Sequence, residues 1–369
     1  MRIPVTGIGV IAPGAIGVEA FRALLAGGET AVAEIDRFDT TGLSAHKAAL
    51  VRDFKPRDFI ATMKMRRMNA LSRLGVAAAK LAIDDCGATL DANTGVAIGT
   101  AFGPVQTSVE YMKEYVEKGA PLASPQLFAE SVANAPGSHI AIEWGLRGFN
   151  LTITQRESSA LAAAMYASTQ LVKGTVSAAL IGGVEEVNEM LFSVLDRLGA
   201  LAHAEDGLDE AARPFDPRRN GIILGEGGAV LVAGAGTRKP YGWLAGFGIA
   251  RDTTAPISDW GTGAASVVTA MQAALDDAEL TASDVDAIYV SANGSRRGDE
   301  LEQRAIDLLF AGKPLVTTKQ VFGEYAAGGA LQLAAALLAL DEGRYRHVLV
   351  NSLSAGGGIV CAVLSREGA

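Results

Sequence analysis

The sequence predicts an α/β protein made of two similar halves, and three observations carry that expectation. Apolar runs of strand length alternate with longer segments whose apolar residues recur at helical spacing, the pattern of a mostly parallel sheet covered by helices. The alternation begins again after Gly234, so residues 1–235 and 236–369 read as an N-terminal and a C-terminal half of one compact, internally duplicated unit. Hydrophobic residues make up 49% of the 369 residues and charged residues 20%, which fills a large core and excludes a mostly disordered chain.

Residues 3–10 form an apolar run broken by Gly7 and Gly9 and read as a buried strand, and 18–25 carry apolar residues at helical spacing. An Ala-rich helix spans 68–86 and closes at Gly87. A strand over 95–99 precedes an amphipathic helix over 105–117 that ends at Gly119. A strand over 151–154 meets a helix that starts near Ser158 and ends before Gly174, and a strand over 177–181 stops at Gly182-Gly183. The second half repeats the pattern: strands over 241–250, 287–291 and 315–318 alternate with helices over 264–278, 301–310 and 329–340. Two strands, 347–352 and 359–364, close the chain. The 43 glycines are dispersed and stand at the ends of apolar runs, where tight turns need positive φ.

Composition excludes several function classes. Lys and Arg number 32 and Asp and Glu 41, a net charge of −9, and the longest basic cluster is only Lys64-Met65-Arg66-Arg67. Nucleic-acid binding by counterion release needs more clustered cations. No window approaches a membrane span, and Pro4, Gly7 and Pro13 near the start argue against a signal peptide. With Cys86 and Cys361 as the only cysteines, a disulfide framework and a thiolate zinc site are excluded. The expectation is a cytosolic protein with no metal, no cofactor and no nucleic-acid or membrane partner.

The most distinctive stretch runs Arg213-Pro214-Phe215-Asp216-Pro217-Arg218-Arg219-Asn220-Gly221-Ile222-Ile223-Leu224-Gly225-Glu226-Gly227-Gly228. Taken alone it is a polar turn feeding a glycine-flanked strand, with its Arg and Glu paired and its glycines allowing close packing. It resembles the signature before the central strand of β-ketoacyl synthases. The resemblance extends over the whole chain: Val5-Thr6-Gly7-Ile8-Gly9-Val10-Ile11 resembles the opening strand, and Arg67-Met68-Asn69 the start of the first long helix. Ser124-Pro125, Asn134-Ala135 and Trp144-Gly145-Leu146-Arg147-Gly148 resemble the approach to the nucleophile, and Asn351-Ser352 with Gly356-Gly357 the closing motif. The resemblance implies a thiolase-like fold, a duplicated α/β/α/β/α layered body that dimerises.

The family's chemistry needs a Cys at a strand-to-helix elbow, where the helix N-terminus activates the thiolate that takes up the acyl chain. It also needs two His residues that donate to the thioester carbonyl and assist decarboxylation of the extender unit, with a Lys nearby. Here the Cys position falls on Glu157, the first His position on Asn293 and the second on Glu324, while Lys319 remains. Ala355 replaces the aromatic expected before the paired glycines. Neither cysteine aligns with the elbow, and none of His46, His139, His203 and His347 aligns with a catalytic position; His139 reads as a packed core histidine. Ser158 and Ser159, lacking a His base, read as helix-start residues. A carboxylate at a helix N-terminus is favoured by the free N–H groups and the dipole by about 0.3–1 kcal/mol. Glu157 therefore reads as a structural plug bonded to backbone amides or Arg156, or else as a mimic of a malonyl carboxylate that helps decarboxylation.

A ketosynthase-like body without these three residues resembles the chain-length factor, the non-condensing β subunit of heterodimeric type II polyketide ketosynthases. The resemblance implies an active ketosynthase partner as heterodimer, an acyl tunnel shaped at the interface, and an acyl carrier protein that docks mainly through the partner. Glu157 departs from the Gln usual in aromatic systems, and with the compact chain this points to the polyene type, aryl polyene pathways included. In that family the helix matching 105–117 lines the tunnel floor, which places Val105, Ser108 and Met112 at the length-setting positions, on one helical face. Two other readings stay open: a malonyl-carrier-protein decarboxylase using Asn293 and Lys319, and a scaffold subunit with no tunnel role.

Overall fold

The computed structural model of the chain describes residues 2–325 and 329–368, with Tyr325 described by its backbone alone. Ten strands build the main sheet: β1 (Ile3–Ala12), β2 (Gly95–Gly99), β3 (Asn150–Ile153), β4 (Ala179–Glu185) and β5 (Gly227–Ala233) in the first half. The second half supplies β6 (Gly242–Arg251), β7 (Ala287–Tyr289), β8 (Leu315–Val316), β9 (His347–Leu353) and β10 (Gly358–Ser365). Their order is β8-β7-β9-β10-β6-β1-β5-β4-β2-β3, and a short strand, Ala15–Ile16, folds back on β1. Read inward from either edge, the order is the third, second, fourth, fifth and first strand of that half. The halves join where β1 and β6 lie antiparallel, over only three pairs from Ile3↔Leu244 to Val5↔Gly242.

Seven helices complete the layers: α1 (Ala70–Cys86), α2 (Val105–Lys118), α3 (Ala135–Trp144), α4 (Ser159–Val172), α5 (Ala264–Asp277), α6 (Arg296–Leu309) and α7 (Ala330–Asp341). The strands are apolar on both faces because both faces are covered. On β5, Ala229, Leu231 and Ala233 join the central core while Val230 and Val232 pack beneath α1. On β10, Val360, Ala362 and Leu364 join that same central core while Ile359, Cys361 and Val363 pack beneath α5 and α6. The central core holds residues of both half-sheets together with α4 and α7, so these two helices form a middle layer, in which α7 is almost wholly buried while Tyr166 and Val172 of α4 reach solvent. Outer helices, half-sheet, middle helices, half-sheet and outer helices give five layers.

Several glycines lie inside strands because a helix or a neighbouring strand rests on them. Strand β1 is not broken by Gly7 and Gly9: a Cβ at Gly9 would lie 1.9 Å from the Ala78 carbonyl oxygen, and one at Gly7 2.2 Å from that of Ala82. The bare backbone lets α1 rest directly on the strand. Gly246 and Gly248 do the same for α5 on β6, where a Cβ would meet the carbonyls of Ala274 at 2.5 Å and Ala270 at 2.0 Å. Likewise β4 continues through Gly182-Gly183 to Glu185, because Gly182 is pressed against the Ala229 carbonyl of β5.

Other expectations are corrected by long-range contacts. The long first helix begins at Ala70, with Asn69 as its cap accepting from the Ser72 N–H, and the helix expected over 301–310 begins earlier, at Arg296. Glu226 does not pair within its own glycine-rich run but with Arg37, through two N–H···O contacts of 2.8 Å. His139 is not a packed core histidine: it is half-buried, with Nε2 2.8 Å from Glu130 Oε1. Among the described residues no helix is long and apolar enough to cross a membrane.

Gly9→Ala and Gly248→Ala should each destabilise the chain by about 1–3 kcal/mol through overpacking of the helix–strand contact. Urea denaturation followed by circular dichroism measures this, and an unchanged midpoint in both variants would refute the close approach.

Candidate functional site

The candidate site lies where α4 leaves the sheet. β3 ends at Ile153, and the chain turns sharply through Gln155 and Arg156, which adopts a left-handed φ of 49°. Ser159 holds that turn: its hydroxyl donates to the Arg156 carbonyl at 2.6 Å and accepts from the Gln155 N–H at 2.8 Å. Glu157 therefore stands at the tip between strand and helix, in a 3₁₀ turn that runs into α4.

The Glu157 carboxyl turns back onto the backbone. Its Oε2 accepts from the Ala355 N–H at 3.2 Å, and its own backbone N–H also donates to the carboxyl. Ala355 belongs to the loop after β9, held by Gly356 and Gly357 at φ of 91° and 88°. The same loop is tied to the elbow by the Ser352 hydroxyl donating to the Glu157 carbonyl at 2.9 Å and by Ser354 donating to the Gln155 carbonyl at 2.9 Å.

Opposite Glu157 stands a second group from the C-terminal half. Glu324 Oε2 accepts from Asn293 Nδ2 at 2.6 Å and from Lys319 Nζ at 2.7 Å, and Lys319 also donates to the Ser291 carbonyl at 2.8 Å. Glu324 is delivered by a small four-stranded sheet made of Val32–Glu34, Lys47–Ala49, Leu224–Gly225 and Glu324–Tyr325. Two buried carboxyls on α6 brace the loop bearing Asn293. Asp299 accepts from the N–H groups of Phe215 at 2.9 Å and Asn293 at 3.0 Å, and Glu302 from the Ser291 N–H and Asn351 Nδ2, both at 2.9 Å.

The electrostatics follow from this enclosure. Burial pushes the Glu157 carboxyl up to about 7, and the Glu324 charge adds to the rise, while the backbone N–H, Lys319 and Arg156 offset part of it. Burial likewise pushes Glu302 up to about 7 against its hydrogen bonds from Ser291 and Asn351. Lys319 and Glu324 form a buried ion pair, with Asn293 and the Ser291 carbonyl as further partners.

The fold thus brings together Glu157, Asn293, Lys319 and Glu324 from three separate chain segments. No sulfur joins them: Cys86 ends α1 and Cys361 lies on the outer face of β10, both buried, with burial raising both thiols. Nor do the four histidines join them. His46 bonds Thr40, His139 bonds Glu130, His203 lies by the Leu201 carbonyl and His347 bonds Ser365. Among the described residues no group of three or more His, Cys, Asp or Glu is placed to hold a metal ion. Sequence reasoning missed the Ala355 N–H as a donor and Glu302 as a brace. Glu302 left a signal, an acidic residue on the buried face of an amphipathic helix beside Leu301, Ala305 and Ile306.

Val105, Ser108 and Met112 lie elsewhere, on α2. Thr107 is the buried residue of that helix; Val105 and Ser108 are half-buried and Met112 is 52% exposed. Ser108 does not face open space: its hydroxyl donates to the carbonyls of Pro104 at 3.0 Å and Ser131 at 3.2 Å.

Residues 1–236 match the Beta-ketoacyl synthase, N-terminal domain, and residues 241–350 the Beta-ketoacyl synthase, C-terminal domain. The chain belongs to the β-ketoacyl synthase family. It is 32% identical over 321 residues to 3-oxoacyl-[acyl-carrier-protein] synthase 2 of Vibrio harveyi, covering 83% of this chain and 76% of that protein. It is 29% identical over 357 residues to the tetracenomycin polyketide synthase ketoacyl synthase beta subunit of Streptomyces glaucescens, covering 92% and 86%. Among solved structures it resembles the ishigamide ketosynthase/chain length factor, with a TM-score of 0.90 and 27% identity over 100% of this chain and 99% of that one. The five layers are the thiolase-like fold of these ketosynthases, over the full length of the chain.

A carboxyl raised from 4.5 to about 7 binds its proton more tightly in the folded state. Its contribution to stability is complete below the unfolded value near 4.5 and is lost as pH rises through 7. Glu157→Gln should therefore flatten the decline in stability between pH 5 and pH 8, by about 2–3 kcal/mol. Denaturant titrations at the two pH values measure it; parallel curves for variant and parent would show that Glu157 is not enclosed.

Proposed function

We propose that this chain is a chain-length factor: a non-condensing β subunit that pairs with an active β-ketoacyl synthase and shapes the acyl tunnel of a type II polyketide system, of the polyene type. The observation that carries this reading is the Glu157 carboxyl on the N–H groups of residues 157 and 355. Two backbone N–H groups at a strand-to-helix elbow are suited to hold the carbonyl oxygen of a thioester. A resident carboxylate takes their hydrogen bonds, and with no thiol beside them the elbow cannot store an acyl chain. A carboxylate could only form a labile anhydride.

The same contact weighs against malonyl decarboxylation by this chain. That step needs donors to the malonyl thioester carbonyl, and Asn293 spends its Nδ2 on Glu324. Association is supported by β3, which ends the sheet with one edge unpaired. An open edge is normally covered or paired. The helix packed against β3 exposes Ile142, and α2 with the neighbouring Pro125–Glu130 helix exposes Met112, Tyr115, Val116 and Phe128. A partner continuing the sheet from β3 would bury this apolar surface, at the roughly 2,000–5,000 Å² typical of obligate pairs. An acyl carrier protein would then serve the pair mainly through the partner.

Co-expressed with its ketosynthase, the chain should elute as a one-to-one heterodimer on size exclusion; two separate peaks at micromolar concentration would count against the reading. Intact-mass spectrometry should find no acyl adduct on this chain, and Glu157→Ala should leave condensation by the pair largely intact. Loss of priming with the heterodimer still assembled would favour the decarboxylase.

The length-setting positions give a separate test. Ser108→Phe should shorten carrier-bound products by at least one extension unit, since overpacking by about 1–3 kcal/mol would fall on the longest intermediates. Met112→Ala should lengthen them or leave them unchanged. Unaltered lengths in mass spectra of both variants would remove α2 as the ruler.

A further inference from the structure

Helix α2 is held in an unusual way. Of its 14 residues only Thr107 is buried, so core packing does little to fix its height or direction. Its N-cap residue is Pro104, which makes no side-chain cap. The backbone that leads into the helix is instead suspended from two successive carboxyls at the end of β4. Glu185 is fully buried, and it accepts from the Ala101 N–H at 2.6 Å and from the Thr100 hydroxyl at 3.2 Å; that hydroxyl in turn accepts from the Gly103 N–H at 3.0 Å. Glu186, also buried, accepts from the Gln106 N–H at 2.9 Å, in the first turn of α2.

The first-turn N–H groups of a helix have no partner within the helix. Here Glu186 supplies one from another element, as an external cap, and a carboxyl is the favoured group at that end of the dipole. The next anchor is also firm. Glu226, paired with Arg37, accepts from the N–H groups of Val187 at 3.1 Å and Val51 at 2.9 Å, which fixes the residue after Glu186.

We propose that Glu185 and Glu186 are positioning residues that set product length by fixing the height of α2. This rests on the reading of α2 as the tunnel floor. Side chains at 105, 108 and 112 reach the acyl end only from where the anchors place the helix, and a slip by one residue moves them about 1.5 Å.

The test uses the reconstituted heterodimer with carrier-bound products resolved by mass spectrometry. Glu186→Ala should raise the fraction of products outside the parent's length distribution at least threefold, with the heterodimer intact. Glu186→Gln keeps an acceptor oxygen for the Gln106 N–H and should restore the parent distribution, which a general loss of stability would not produce. Ser108→Phe runs alongside. Parent lengths in Glu186→Ala with altered lengths in Ser108→Phe would overturn the anchoring role and leave the ruler standing. Parent lengths in both would overturn the ruler and the anchor together, and equal shifts in Glu186→Ala and Glu186→Gln would overturn anchoring through the N–H acceptor. If Glu186→Ala fails to assemble, Gln106→Pro removes the donor instead, at a first-turn position where proline is tolerated. It must reproduce the shift, and parent lengths there would overturn the inference.

Discussion

Everything in this molecule depends on two helices of its middle layer, α7 buried along nearly its whole length and α4 along one side. α4 and α7 lie between the half-sheets, and nearly every residue of α7 is buried. Such a layer needs helices that are slim and apolar on the sides they bury, and Ala and Leu make up most of α7 and half of α4. The half-sheets share just three residue pairs at β1 and β6, so burial of the middle layer, not strand pairing, joins the halves. The layer also places the candidate site. Glu157 stands at the entry to α4, and Glu324 lies on the short strand that precedes α7.

The site at that end of the layer is a network of carboxyls held by the fold. Glu302 and Glu324 are buried and Glu157 is half-buried, and each is stabilised by directed donors: backbone N–H groups for Glu302 and Glu157, a lysine and an amide for Glu324. Charged groups out of water are tolerated on these terms. The geometry keeps the shape of an acyl-accepting elbow, including the strained residue before it and the paired glycines of the facing loop. Its donors are engaged by the chain itself. An unpaired sheet edge and exposed apolar side chains on the neighbouring helices lie beside this elbow.

Much of this was legible in the sequence, because alternation of strand and helix is a local property. The order of elements and the duplication follow from residue identity and spacing, and resemblance to the family singled out Glu157, Asn293 and Glu324. What the chain alone could not decide is which distant groups meet. Glu157 reaches the N–H of Ala355, 198 residues away, and Glu226 turns to Arg37 instead of its neighbours. Gly9 reads as a break in its apolar run, and Gly248 carries no signal within its strand, until the helices they admit are seen pressing on both at under van der Waals distance. Hydrogen bonding and close packing are set by three-dimensional approach, which periodicity does not encode. Residue type therefore determined which groups stand at this site, and only the tertiary structure decided what they meet.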